Sequence, residues 1–178
     1  MIALGYNPSE FDDHDNPPEF MPVRKSWPTK GAPAWKIDED VCFFQVTEQD
    51  DMINRQRHSL YNPKDNDNVI KTTVQTRVIR VSWIFYGPNS FDNAFILKNA
   101  LFEAVKENLN QNELYLIPNI TSPRRAPELF SGQWWERVDF EALFNERIKL
   151  ESNIPYIKSA EFKIIDQRGE ETDVVINP

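Results

Sequence analysis

From Trp134 to Leu150 the chain alternates almost strictly between apolar and polar residues. Trp134, Val138, Phe140, Ala142, Phe144, Ile148 and Leu150 fall on one side of a period-two pattern. Trp135, Arg137, Asp139, Glu141, Asn145, Arg147 and Lys149 fall on the other. A helix cannot keep such a pattern on one face, so the stretch predicts a long, half-buried strand. Glu136 and Glu146 interrupt the apolar side near its ends, where water or a partner can reach. A second strand is written into Val69–Tyr86, which is rich in Val, Ile, Thr and aromatic residues. Arg77, Ile79, Val81, Trp83 and Phe85 share one of its faces, and Val78, Arg80, Ser82, Ile84 and Tyr86 the other. Both faces are substantially apolar, which predicts a central strand covered on both sides.

"YGPNS" ends that strand, with Asn89 or Ser90 able to cap a helix and Asp92 in its first turn. Ala94, Leu97, Leu101, Ala104 and Val105 then recur at helical spacing, flanked by Phe95 and Phe102, and predict about five turns ending at Asn110–Asn112. Shorter strands are expected at Val41–Thr47, Leu114–Ile117, Tyr156–Asp166 and Thr172–Ile176, with a turn at Gln167–Glu170. Residues 48–68 read as a long polar connection. The fold class is therefore α+β, an antiparallel sheet with one or two helices on a face. Residues 1–35 read as an extended, proline-rich N-terminal arm and 36–178 as a single α+β domain. Six prolines between residues 7 and 35 forbid a long helix or central strand there. Phe20, Val23, Trp27 and Trp35 are too apolar for a free tail, so the arm is expected to pack on its own domain or on a neighbour.

The formal net charge of −8 makes a poor coat for DNA or for an anionic membrane, although it suits a channel through which DNA slides without sticking. No apolar run approaches a membrane span and no secretory leader is visible, so the expected compartment is the cytosol or a particle assembled there. The single cysteine, Cys42, lies in the apolar run Val41–Phe44 and reads as a small buried hydrophobe. Five glycines against thirteen prolines argue against tight two-residue hairpins and phosphate-binding loops.

Catalytic chemistry is hard to assemble from this chain. "DDHD" at 12–15 has metal-ligand residue types but sits in the proline-rich arm without rigid support, and reads as a solvated acidic patch. The second histidine, His58, is expected in a different loop. No nucleophile elbow, zinc-protease or dinucleotide-binding motif occurs. Glu136 and Asp139, a carboxylate pair by spacing, fall on opposite strand faces. No enzyme, cofactor or metal is expected.

The stretch "RRAPELFSGQWWERVDFEALF", 124–144, carries contact residues instead. Arg124 and Arg125 lie between Pro123 and Pro127, followed by Glu128 and by Trp134–Trp135. Arginine forks bind carboxylates, and Arg and Trp are enriched at interface hot spots. Two adjacent strand tryptophans face opposite ways, so one can enter the core while the other needs a cover. Arg124, Arg125, Glu128, Trp134 and Trp135, with Trp27 and Trp35 of the arm, are the expected partner interface.

"VRKSWPTKGAPAW", "TRVIRVSWIFYGPNSFDNAFILKNAL" and "RRAPELFSGQWWERVDFEALF", in that order, resemble the neck terminator proteins of tailed bacteriophages. The shared marks are an R-x-P-E loop, a QW-x-ER strand start and a Tyr-Gly strand end, over roughly residues 23–165. The resemblance implies an antiparallel sheet flanked by helices in a homo-oligomeric ring, usually six-fold. Such a ring caps the tail tube protein, stops its polymerisation and meets the head-completion or connector proteins, with DNA passing through its lumen. It implies a virion protein of the neck, assembled in the host cytoplasm. Terminators often begin with a helix packed on the sheet; the short, proline-rich lead before Val23 leaves that helix open here. The competing readings are another head-completion or baseplate adaptor subunit, and an acidic soluble binding or inhibitor protein.

Overall fold

The computed structural model describes residues 22–27, 34–65, 67–155, 160–165 and 167–176. The acidic patch at 12–15, most of the expected arm (1–21 and 28–33) and the expected strand start at 156–159 lie outside these residues. The chain divides into two compact units, 1–56 with 76–148 and 57–75 with 149–178.

The first unit is built on β2 (Val41–Glu48), β4 (Asn68–Tyr86) and β9 (Arg137–Pro155), the last two of which continue into the second unit. The strand order is β1-β2-β4-β9-β5, with β1 at Val23–Lys25 and β5 at Leu114–Leu116. β4 is central, as its two apolar faces predict. β2 pairs antiparallel with it from Val41 opposite Tyr86 to Glu48 opposite Ile79. β1 lies parallel to β2, Val23 opposite Cys42. β6 (Arg124–Arg125) adds to β9 antiparallel at Asp139 and Val138. The predicted α+β class is what forms.

The helix starts where expected but for a different local reason. Asn89 occupies the N-cap of α1 (Ser90–Phe102) without a side-chain cap bond. Its amide Nδ2 instead donates to Asp40 Oδ2 at 2.8 Å, and its backbone N–H to Asp40 Oδ1 at 3.0 Å. This latch ties the helix start to the turn before β2. Gly87 makes it possible: its φ is +105°, and a Cβ there would stand 2.4 Å from Asp40 Oδ1. The expected single helix of about five turns is in fact two, α1 and α2 (Lys106–Gln111). Between them Ala100 O accepts from both Glu103 N and Val105 N, a widened turn that breaks the regular ladder. Val105 and Leu109 still pack on the core, so the apolar stripe continues through the break. Phe95 and Phe102 are exposed.

Under the helices lies the core: Cys42, Ile79, Val81, Phe85, Ala94, Leu101, Val138, Phe140, Ala142 and Phe144. Trp83 stacks on Phe140 with ring centroids 5.3 Å apart. Removing each large apolar side chain from water contributes about 1.5–3 kcal/mol. Cys42 is buried as expected, and burial pushes its thiol up to about 12. Glu146 is met by Arg77, whose Nε donates to it at 2.7 Å.

The polar stretch read as a connection at 48–68 holds structure of its own. Met52–Arg55 form a 3-10 turn started by Asp51, whose side chain accepts from Ile53 N. Asn54 then ties the end of β2 to the middle of β4, with Oδ1 accepting from Val78 N and Nδ2 donating to Gln49 O. In the second unit β3 (Arg57–Pro63) pairs antiparallel with β4, Arg57 opposite Gln75 through Pro63 opposite Val69. β3 is mostly exposed, so no apolar periodicity marks it, and backbone bonds hold it in place. The same unit holds β10 (Ala160–Ile165) and β11 (Glu171–Ile176), paired antiparallel across the expected turn.

Candidate docking surface

The first unit has a second apolar site, on the sheet face turned away from the helices. Tyr86, Phe43 and Val41 alternate with core residues and so point to this side. Trp35 lies over them, its ring 5.0 Å from Phe43 and 5.7 Å from Tyr86. Trp135 meets Trp35 edge to face at 6.0 Å, and Phe130 meets Trp135 at 6.1 Å. Arg24 of β1 is buried to 6 % exposure with its guanidinium 5.8 Å from the Trp35 ring centre. Burial lowers its pKa, and nearby Glu39 partly offsets this.

Phe130 and Trp135 come from a hairpin of β7 (Glu128–Phe130) and β8 (Gln133–Trp135). Its two-residue turn is Ser131–Gly132, with φ of 49° and 75°. Positive φ at both positions is the type I′ requirement, which matches strand twist. The scarcity of glycine argued against such a turn; one of the five glycines, helped by a serine in the left-handed region, is enough to make it. Leu129 and Trp134 stand opposite each other and are 58 % and 67 % exposed. Trp134 therefore leaves the apolar side that its spacing shares with Val138, because Glu136 separates β8 from β9 and the hairpin takes Trp134 with it. Trp135 is the tryptophan that packs.

An ionic network ties this hairpin to the sheet. Tyr86 Oη donates to Glu128 Oε2 at 3.0 Å, and Arg137 NH1 donates to the same oxygen at 2.8 Å. Arg137 also grips Asp139, Nε to Oδ1 at 2.8 Å. Burial and the bond to Glu128 push the Tyr86 hydroxyl up to about 12. Asp139 first, and then Glu128, hold the Arg137 guanidinium above its ordinary value against the opposing effect of burial.

The expected interface residues thus divide. Glu128, Trp35 and Trp135 are engaged within the first unit. Arg125 pairs with Glu136 at 3.2 Å and covers the Phe91 ring at 5.0 Å, joining the loop to α1. Arg124, its strand neighbour, points to the opposite side and lines a groove of about 490 Å³ with Ser82, Ser122, Arg137 and Glu141. It is exposed and has no ion-pair partner among the described residues. Trp27 is 80 % exposed, with φ at 50°. Residues that spacing did not single out complete the surface: Tyr86, Leu129, Phe130 and Arg137. Their apolar or charged character was legible, but their convergence depends on β7 and β8 folding back as a hairpin.

Trp35 Nε1 and Trp135 Nε1 are buried without a hydrogen-bond acceptor among the described residues. Beside them a cleft of about 280 Å³ opens between Trp35, Tyr86, Phe130 and Trp135, with Glu128 at its edge. Trp134, Leu129 and Phe130 are the exposed apolar residues of the hairpin, and Arg124 on β6 has no ion-pair partner among the described residues. No curated protein matches the sequence closely enough to count as a relative. A family model described as phage neck terminator protein matches residues 11–168, nearly the whole chain, so the protein belongs to the phage neck terminator family.

Proposed function

We propose that the protein closes into a homo-oligomeric ring, six-fold, that caps the tail tube and joins it to the head-completion proteins. The family is a structural one, and it makes the protein a component of the virion neck or tail. The observation that carries the finer reading is the hairpin surface. Leu129, Phe130 and Trp134 are more than half exposed, and Arg124 of β6 lacks an ion-pair partner among the described residues. A monomer gains nothing from leaving so much apolar surface in water, whereas a subunit of a closed assembly buries it. Tube protein and connector are the partners on the two sides of the ring. DNA passes through the lumen without specific binding, in keeping with a net charge of −8. Assembly takes place in the host cytoplasm.

The test is native mass measurement of the purified protein, alone and after incubation with tail tubes. A closed oligomer of defined mass, free or bound at one tube end, is expected. A monomer under both conditions, at high concentration, rejects the ring. Arg124→Ala combined with Arg125→Ala is expected to leave melting nearly unchanged, because the Arg125–Glu136 pair is solvent-exposed and contributes about 0–1 kcal/mol. The same double variant is expected to block the joining of tails to heads, and infectious particles at normal titre would contradict it.

A further inference from the structure

We infer that the cleft between Trp35, Tyr86, Phe130 and Trp135 binds an arginine side chain of a partner protein, its guanidinium among the rings and against Glu128. The inference does not rest on the ring reading. The cleft walls are aromatic, and Phe130 is more than half exposed, so a partner can reach them. Trp35 and Trp135 stand at 74° to each other, and Phe130 and Trp135 at 75°. Rings set this steeply bound a space on several sides, whereas a parallel stack would close it. Aromatic faces attract a cation through their quadrupole, and arginine supplies that cation more often than lysine. The fold already uses the same contact once. Buried Arg24, which does not line the cleft, holds its guanidinium 5.8 Å from the Trp35 ring centre, with Glu39 acting on its charge. The cleft measures about 280 Å³, just below the range of about 300–1,000 Å³ common for small-molecule sites, so it suits a single side chain.

Charge selects a cation over a neutral guest. Glu128 stands at the cleft edge, and the hydrogen bonds from Tyr86 Oη and Arg137 NH1 both enter on its Oε2. Oε1 receives no donor among the described residues. Arg137 is shared between Glu128 and Asp139, so two carboxylates face one guanidinium. Arg124 lies opposite Asp139 in register but lines the neighbouring groove, and it forms no ion pair with either carboxylate among the described residues. A further guanidinium at Oε1 supplies the missing positive charge through a charge-assisted bond. Tyr86 and Arg137 fix the carboxylate in advance, which lowers the ordering cost of binding. A lysine fits this place less well, because its ammonium is more strongly hydrated and cannot lie flat on a ring.

The experiment titrates the full-length protein with acetyl-Gly-Arg-Gly-amide at constant ionic strength and follows tryptophan emission. Two further peptides replace the arginine with citrulline, its neutral isostere, or with lysine. A saturable shift is expected with the arginine peptide. The citrulline peptide is expected to bind at least about tenfold more weakly, and the lysine peptide about threefold more weakly. Phe130→Ser removes one wall and Glu128→Gln removes the charge, and each is expected to weaken arginine binding at least about fivefold. Circular dichroism checks the fold of both. Phe130 is 59 % exposed, so the first variant stays informative even where the second disturbs the hairpin. Equal binding of arginine and citrulline would show a merely apolar cleft and overturn the proposal. Equal binding of arginine and lysine would overturn the guanidinium assignment. Unchanged arginine binding in Phe130→Ser would place the peptide elsewhere. No saturable shift at the highest soluble peptide concentration rejects the site. A shift that appears only in Lys30→Ser would mean that the chain's own lysine fills the cleft, which overturns the assignment to a partner.

Discussion

Tyr86 donates its hydroxyl proton to Glu128 across 3.0 Å, and this bond fastens the β7–β8 hairpin to the end of the central strand. The phenol is pushed up to about 12, so the folded state holds its proton more tightly than the unfolded chain does. A raised tyrosine contributes stability that is fully present below its unfolded value near 10 and is lost as pH rises through 12. Stability should therefore fall between pH 10 and 12. Tyr86→Phe, which cannot ionise, should flatten that part of the profile while lowering stability near neutrality. Urea midpoints measured from pH 7 to 11.5 on both proteins check this; parallel profiles would show the bond to be irrelevant.

Arg137 holds the hairpin from the other side and is the more costly residue to lose. Arg137→Ala leaves Glu128 and Asp139 facing each other without a cation. Charge-assisted bonds are worth about 1.5–3 kcal/mol, and partial exposure brings the expected loss to about 1–2 kcal/mol. Thermal melting reads this directly. Arg137→Lys should recover only part of the loss, since a lysine cannot grip Asp139 with two nitrogens.

Gly87 is the point where backbone geometry admits no other residue. At φ +105° any side chain is strained, and a Cβ would enter the space of Asp40 Oδ1 and Glu39 O, at 2.4 and 2.6 Å. Strain and overpacking each cost about 1–3 kcal/mol, so Gly87→Ala should lose more than about 2 kcal/mol. Chemical denaturation is the measurement. A near-neutral result would mean that the Asp40–Asn89 latch yields easily.

What the sequence disclosed follows from which forces leave a periodic trace. β4 and β9 were legible because burial on a pleated sheet alternates, and Val138, Phe140, Ala142 and Phe144 record it. β3 was not, because Arg57–Pro63 are held by backbone bonds to β4, and backbone bonds write nothing into side chains. The helix break escaped notice because Leu101, Val105 and Leu109 keep a four-residue spacing through it. Trp134 and Trp135 were recognised as opposed, but only the hairpin decides which is covered. The cleft was illegible as a whole: Trp35 and Trp135 meet through tertiary folding, and neither carries a mark of the other.

The hairpin turn offers a stabilising change. Ser131 adopts φ 49°, where asparagine is the better residue and serine is strained. Ser131→Asn should raise stability by about 0.3–1 kcal/mol, within the range of compatible turn substitutions. Gly132→Val, at φ 75°, should cost about 1–2 kcal/mol. Opposite signs for the two variants in thermal melting would support a type I′ turn; equal losses would argue for another geometry.

Trp134 separates folding from assembly most cleanly. It is 67 % exposed, stands opposite the exposed Leu129, and belongs to no buried cluster among the described residues. Replacing an exposed residue outside such clusters usually changes stability by no more than about 0.5 kcal/mol. A tryptophan buried at the centre of an interface, in contrast, commonly accounts for about 2 kcal/mol or more of binding. Trp134→Ser should therefore melt like the original protein yet associate about thirtyfold more weakly, the equivalent of 2 kcal/mol. Sedimentation of the variant alone and with tail tubes measures the second quantity. Unchanged association would remove the outer face of the hairpin from the interface, and a large drop in melting temperature would mean that Trp134 supports the fold itself.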